Sequence, residues 1–356
     1  MFLLFVLLFI AGTNAEPLDK ITLPLDFQLG YTITTIKVGT PPVDYTVGLK
    51  INQINAAFLD TPMAQNESKK AYDSSQSSTS NVTKVGCSIL LEFEEQQTGN
   101  LVTDILNING TQISNFLFCN THGAFYYTRT FADVPVDAIF TLGLEREGFL
   151  TTVKPLLQQF ANPEFTLYFN KNAKNRTDIQ KNVGQLTLGG RDTINCNGNF
   201  KSFPLAEPQG AFWSVKTISI TFNQQDFYLK ENDGLTRFVI FEHSSDFIMV
   251  PDNVRQAIYS YYYVKDEWSL TVHCDRARKG PWITVQIAGI SYFIKPTDYV
   301  DGFESGKCKL LVAPLYFFGE DSIAFSTDLV LGMPFFRSYC VNFNLADMTI
   351  GFANHK

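Results

Sequence analysis

The stretch that decides the fold reads Val38-Gly39-Thr40-Pro41-Pro42-Val43-Asp44-Tyr45-Thr46-Val47-Gly48-Leu49-Lys50-Ile51-Asn52. It opens as a Gly-Pro turn, because proline presets φ and cannot sit inside a central strand. From Val43 to Lys50 apolar positions alternate with polar or small ones, the period-two pattern of a half-buried strand. The eight residues before Gly39, Tyr31 to Val38, alternate in the same way. Two strands joined through a Gly-Pro turn therefore deliver Lys50, Ile51 and Asn52 to the mouth of a loop.

The rest of the chain fits that start. Many short alternating runs rich in Val, Ile, Thr, Phe and Tyr occur, and few segments have helical periodicity, which predicts an all-β architecture. With 356 residues the chain is long enough for two lobes, each with its own core. It is 45% hydrophobic and 18% charged, with a net charge of -7. No basic stripe offsets that acidity, so nucleic acid is excluded as a partner class. The glycines form no phosphate-loop pattern, and the four histidines (His122, His243, His273, His355) are scattered, with no Cys-x-x-Cys. The expectation is no cofactor and no metal.

Residues 1–15 read as a secretory signal peptide: residues 2–11 are apolar, and Thr13-Asn14-Ala15 supplies the small residues of a cleavage site. No second hydrophobic span follows, so no membrane span is expected. Four sequons, at Asn66, Asn81, Asn109 and Asn175, agree with export and glycosylation. Six cysteines in an exported chain suggest three disulfides, although six allow fifteen pairings.

The Gly-Thr-Pro turn and the strand after it resemble the first signature of the pepsin family of aspartic peptidases. There the strand ends in a catalytic Asp-Thr-Gly, eleven residues after the turn glycine; here those positions hold Lys50-Ile51-Asn52. Further patches resemble the family in order. They are the Tyr72-Asp73 to Ser80 segment, Val136-Asp137-Ala138-Ile139-Phe140-Thr141-Leu142-Gly143, and Phe212-Trp213. The apolar Phe238 to Phe241 run before Glu242 follows, and then Val330-Leu331-Gly332-Met333-Pro334-Phe335-Phe336-Arg337. The last matches Ile-Leu-Gly-Asp-x-Phe-Leu-Arg, with Met333 in place of Asp. The second loop, Asp-Thr-Gly-Thr-Ser in the family, reads Glu242-His243-Ser244-Ser245-Asp246, its register fixed by Pro251 and a helix from Asp252. The resemblance implies a bilobal pepsin-like fold: lobes at 16–189 and 190–356 around a cleft, with a helix near 152–160. It also implies a Cys274–Cys308 disulfide. Strand neighbours in the same fold suggest Cys87–Cys119 and Cys196–Cys340. The flap hairpin of the family carries Tyr and Gly-x-Gly; this chain has Glu92, Phe93 and a Glu-Gln run instead, so the hairpin tip differs. Only about fifteen residues separate Ala15 from Tyr31, too few for the prosegment of pepsin-family zymogens. A chain with no activity to restrain would need none.

Aspartic peptidases need two carboxylates close enough to share one proton, one staying protonated while the other deprotonates water. Lys50 cannot share that proton, and Glu242 is a methylene too long. The expectation is a catalytically degenerate dyad, with Lys50 and Glu242 forming an ion pair across the cleft. Two other arrangements are weighed. Glu242 and His243 with Ser244 and Ser245 could suggest a hydrolase triad, but adjacent residues on a strand point to opposite faces and no Gly-x-Ser-x-Gly elbow occurs. Asp60-Thr61-Pro62 imitates Asp-Thr-Gly ten residues late and could pair with Asp246 after a compensating insertion. The reading is a secreted, monomeric, pepsin-like pseudoenzyme, in the extracellular space or a lysosomal or secretory lumen, whose cleft binds peptide or protein. The alternatives are an active endopeptidase using another carboxylate pair, and a structural or decoy protein that binds through its outer surface.

Overall fold

The computed structural model describes residues 16–90, 96–125, 134–144, 150–206, 212–217, 219–228, 238–266, 269–304, 306–315 and 327–356. The proposed signal peptide (1–15) and the flap residues Glu92 and Phe93 lie outside them. The fold is all-β. Its described strands fall into sheets of thirteen, five, four and three strands. The longest described helix is Asp252–Tyr262, eleven residues, beginning where the sequence places it, just after Pro251. The helix expected over 152–160 is shorter, Val153–Leu157. No described helix is long and apolar enough to cross a membrane.

One arrangement occurs twice. Val43–Lys50 runs parallel to Ala138–Thr141, with Lys50 opposite Thr141. Ala56–Leu59 lies antiparallel to that second strand and parallel to Thr111–Phe125. Phe238–Phe241 likewise runs parallel to Leu329–Leu331, with Phe241 opposite Leu331. Ile248–Val250 is antiparallel to Leu329–Leu331 and parallel to Val312–Pro314. The short inner strands are near-continuous apolar runs because both faces are covered; all four residues of Ala138–Thr141 and of Phe238–Phe241 are buried. In each copy a strand passes behind the loop that follows the first strand, so small atoms are needed there. A Cβ on Gly332 would come within 2.2 Å of the Phe247 carbonyl oxygen and 2.5 Å of that of Ser245.

The two halves share a sheet. Tyr339–Asn344 pairs with Glu164–Phe169, Phe343 opposite Phe165, so the last strands of the chain are stitched to strands from its first half. Trp213, fully buried, packs edge-on against Phe165 and Phe343 at centroid distances of 5.7 and 5.1 Å, and those two rings stack on each other at 4.7 Å. Ile21–Gln28 is a further strand, ahead of the two that the sequence predicts around Gly39; it pairs with Gln180–Leu188 and with Tyr31–Val38. Its sequence, ITLPLDFQ with the first, third, fifth and seventh residues buried, has the period-two pattern of a half-buried strand.

The Ser-rich segment after Tyr72 is tied down. Ser77 Oγ accepts from the Thr40 amide at 2.9 Å, and the Ser78 amide donates to the Thr40 carbonyl. Thr79 and Tyr72 donate hydroxyl hydrogen bonds to the buried Asp104 carboxylate at 2.5 and 2.6 Å. Composition leaves this stretch equally open to a loose loop; the Asp104 acceptor, some 25 residues on, is what fixes it. Three disulfides join Cys87–Cys119, Cys196–Cys340 and Cys274–Cys308, which fits an extracellular or lumenal compartment.

Candidate functional site

Lys50 ends one parallel strand, and Glu242 follows the last residue of its counterpart, Phe241. The Glu242 amide donates to the Leu331 carbonyl at 3.1 Å, continuing the ladder by one residue. The two loops therefore begin at matching points of the repeated arrangement, with Ile51 corresponding to His243 and Asn52 to Ser244. Lys50 is largely buried at 9% exposure, and its ammonium stands 5.2 Å from the Tyr31 ring centroid, within cation–π range.

The expected ion pair between Lys50 and Glu242 is not formed. The cross-loop contact is made two residues further on. Asn52 Nδ2 donates to Glu242 Oε2 at 2.9 Å and to the Phe241 carbonyl at 2.7 Å. On the other oxygen, Glu242 Oε1 accepts from Ser244 Oγ at 2.5 Å and from the Ser244 amide at 3.2 Å. Asn52 Oδ1 in turn accepts from the Trp213 amide at 3.0 Å. The physical reason is reach and shape. A planar amide offers donors and an acceptor together, so one Asn side chain satisfies a carbonyl, a carboxylate and an amide at once. A lysine ammonium can only donate. Where the pepsin pattern has glycines, Asn52 and Ser244 fill the space between the loops with side chains that close on Glu242.

The other candidate arrangements come apart. His243 is fully buried, its ring 6.0 Å from that of Phe169 and 5.9 Å from that of Phe336, and its Nδ1 lies 3.9 Å from Glu242 Oε1. A Ser-His-Glu relay needs the serine hydroxyl to donate to the imidazole, and the Ser244 hydroxyl donates to the Glu242 carboxylate instead. Asp60 is a helix cap: its Oδ1 accepts from the Met63 amide at 3.0 Å at the start of Thr61–Glu67. Asp246 receives a hydrogen bond from Asn175 Nδ2 and lines a separate pocket with Asp301. Those two carboxylates do not make a proton-sharing pair either. Arg176 grips Asp301 through both oxygens at 2.8 and 3.0 Å, and Lys174 adds a contact at 3.1 Å.

Burial works to raise the Asp301 carboxyl, but the Arg176 hydrogen bonds and the Lys174 charge outweigh it, and its pKa is lowered. A depressed carboxyl stabilises the fold above the unfolded-state pKa, and that contribution is lost as pH falls through the folded value. Asp301→Asn should therefore lower stability by about 2 kcal/mol at neutral pH, less than a fully buried pair would give because Arg176 and Lys174 are about a third exposed. Urea unfolding should show the gap closing in acid; a gap of constant size would mean that shape, not charge, is what Asp301 provides.

Of the four sequons, Asn81, Asn109 and Asn175 are exposed, and Asn109 sits at a positive φ of 51° in a hairpin turn. Nothing is described for the Asn66 side chain.

Two repeats of one strand arrangement, each presenting a loop to its counterpart across a shared sheet, define the bilobal architecture of a pepsin-like acid protease. The family model of eukaryotic aspartyl proteases matches residues 31–355, and the chain belongs to that family. It is similar to Aspartic protease 17 of Caenorhabditis elegans (24% identical, covering 97% of this chain and 88% of the relative). It is similar also to Aspartic protease 1 of the same organism (27%; 93% and 83%). Pepsin A of Rhinolophus ferrumequinum is 24% identical over 90% of this chain and 80% of its own.

Proposed function

We propose that this chain is a secreted family member without peptidase activity by the paired-carboxylate mechanism, and that its cleft serves to bind peptide or protein. The observation that carries the reading is the Asn52–Glu242 hydrogen bond. Proton sharing needs a second carboxyl oxygen against Glu242, and an amide N–H occupies that place. Lys50 stands where the other carboxylate would be, and Asp60 is engaged in capping a helix. The residues 16–189 and 190–356 are read as the two lobes, with the loops at Lys50 and Glu242 on the cleft floor. Main-chain pairing with an extended segment is the mode of binding such a cleft supports.

The test is acid proteolysis. The mature protein is incubated with a diverse peptide pool from acidic to neutral pH, with and without pepstatin. No cleavage is expected, while a subset of the pool should be retained on immobilised protein. Pepstatin-sensitive cleavage would overturn the reading and favour an active endopeptidase using another carboxylate pair. Loss of both cleavage and retention would favour binding by the outer surface.

A further inference from the structure

Beneath the second loop lies a pocket of about 120 Å³ lined by Asn175, Arg176, Asp246, Asp301, Lys309, Leu311, Met333 and Arg337. We propose that this pocket binds a small oxyanion, a sulfate- or phosphate-type group or a carboxylate, between Lys309 and Arg337.

Three observations carry it. Arg337 is only 3% exposed. Its two terminal nitrogens are used, donating to the Ala173 and Asp298 carbonyls, but its Nε–H has no hydrogen-bond partner among the described residues. Both acceptors are uncharged backbone groups, so the guanidinium is hydrogen-bonded without being neutralised by contact. Lys309, on Lys307–Leu310, also makes no hydrogen bond or ion pair among the described residues; its ammonium stands 5.0 Å from the Phe247 ring centroid. Two cations thus line one small pocket with donor capacity to spare.

Third, the residue that would supply a built-in counter-ion is apolar. Met333 opens the helical turn that Arg337 closes, with the Arg337 amide donating to the Met333 carbonyl at 2.9 Å. A carboxylate at 333 would lie one turn ahead of the guanidinium, the spacing at which opposite charges meet on a helix. The motif resembled by this stretch has Asp there. With Met333 the pocket wall is apolar at that point, and an anion from solution replaces the carboxylate that the chain lacks.

The carboxylates present do not fill the role. Asp301, on Val300–Glu304, is held by Arg176 and Lys174 from the adjoining loop. Asp298 is not part of the pocket lining; its Oδ2 accepts from Ser338 Oγ at 3.0 Å, and its charge acts on Arg337 together with those of Asp301 and Asp246. Asp246 is the competitor, since Lys309 and Arg337 both act on its charge. Burial pushes its carboxyl up, more strongly than the Asn175 hydrogen bond and the two cations pull it down. Ionised, it opposes an incoming anion; protonated, it becomes a donor. The site should load as pH falls through the Asp246 titration.

Sulfate is the probe, because its charge stays constant from mildly acidic to neutral pH. Calorimetric titration at matched ionic strength in chloride should give tighter binding in acid. Lys309→Met should weaken it about tenfold, the worth of one charge-assisted hydrogen bond. Met333→Asp should abolish it by supplying the carboxylate internally. Asp246→Asn should bind equally at both pH values. Acetate in a parallel titration separates a carboxylate site from one for tetrahedral oxyanions. Undiminished sulfate binding by both Lys309→Met and Met333→Asp, or no pH dependence in the unaltered protein, would overturn the proposal. So would the absence of binding altogether. Lys309 is partly exposed, so its variant remains informative if Met333→Asp fails to fold.

Discussion

Asn52→Asp should yield a protein that is close to normal stability in acid and markedly weakened at neutral pH. The amide nitrogen now 2.9 Å from Glu242 Oε2 would become a carboxyl oxygen, and two carboxyls in contact cannot both ionise without mutual repulsion. One of the pair would hold its proton to a raised pKa. The sign follows from linkage: a raised folded-state pKa gives stability that is complete below the unfolded value and is lost as pH rises through the folded one. In acid a shared proton replaces the amide bond, and the remaining loss is the bond to the Phe241 carbonyl, about 1 kcal/mol. At neutral pH an unpaired, largely buried charge adds to that, for a total of about 3–5 kcal/mol. Denaturant unfolding of the two proteins at acidic and neutral pH checks this. A loss independent of pH would mean that Asn52 acts by filling space, and that Glu242 does not depend on its amide. Because the same change creates a proton-sharing pair, assaying the variant against the peptide pool in acid asks whether the missing carboxyl alone withholds activity.

Trp213→Ala should cost about 3–5 kcal/mol, the range for truncating a buried aromatic. Trp213 is fully buried, edge-on to Phe165 from the first half of the chain and Phe343 from the last strands. Its Nε1 donates to the Leu142 carbonyl at 2.9 Å, just beyond the strand that runs beside Lys50. Its backbone joins both loops: the amide donates to Asn52 Oδ1 and the carbonyl accepts from Phe241. The alanine variant keeps those backbone groups but loses the buried ring that positions them. Trp213→Phe retains most of the apolar contact and should cost about 1–2 kcal/mol for the unpaired Leu142 carbonyl. Comparing the two by urea unfolding separates ring packing from hydrogen bond. Equal losses would assign the whole effect to the indole N–H.

Much of the architecture is legible in the chain itself. The Gly39-Thr40-Pro41 turn, the alternation from Val43 to Lys50 and the apolar run Phe238 to Phe241 are local patterns, and local backbone preferences report them directly. Pro251 followed by Asp252 marked a helix start, and the helix begins there. The correspondence of Lys50 and Glu242 came from the resemblance to the pepsin-family signatures, counted on from Gly39 in the first stretch and back from Pro251 in the second.

What touches what was not. Charge and proximity to the loops suggested Lys50 as the partner of Glu242, and sequence carries no term for the direction in which a side chain leaves the turn. Asn52 and Ser244 could be read as missing glycines, but not as the donors that close on one carboxylate. That required the two loops to be brought face to face by the Phe165–Phe343 pairing across the shared sheet. The same holds for the pocket of Lys309 and Arg337. Its walls come from residues 175 to 337, and only tertiary packing gathers them. The sequence by itself determined the fold and the positions that would face each other. The tertiary structure decided the partners, because hydrogen bonding and desolvation depend on distances of a few ångströms between residues far apart in the chain.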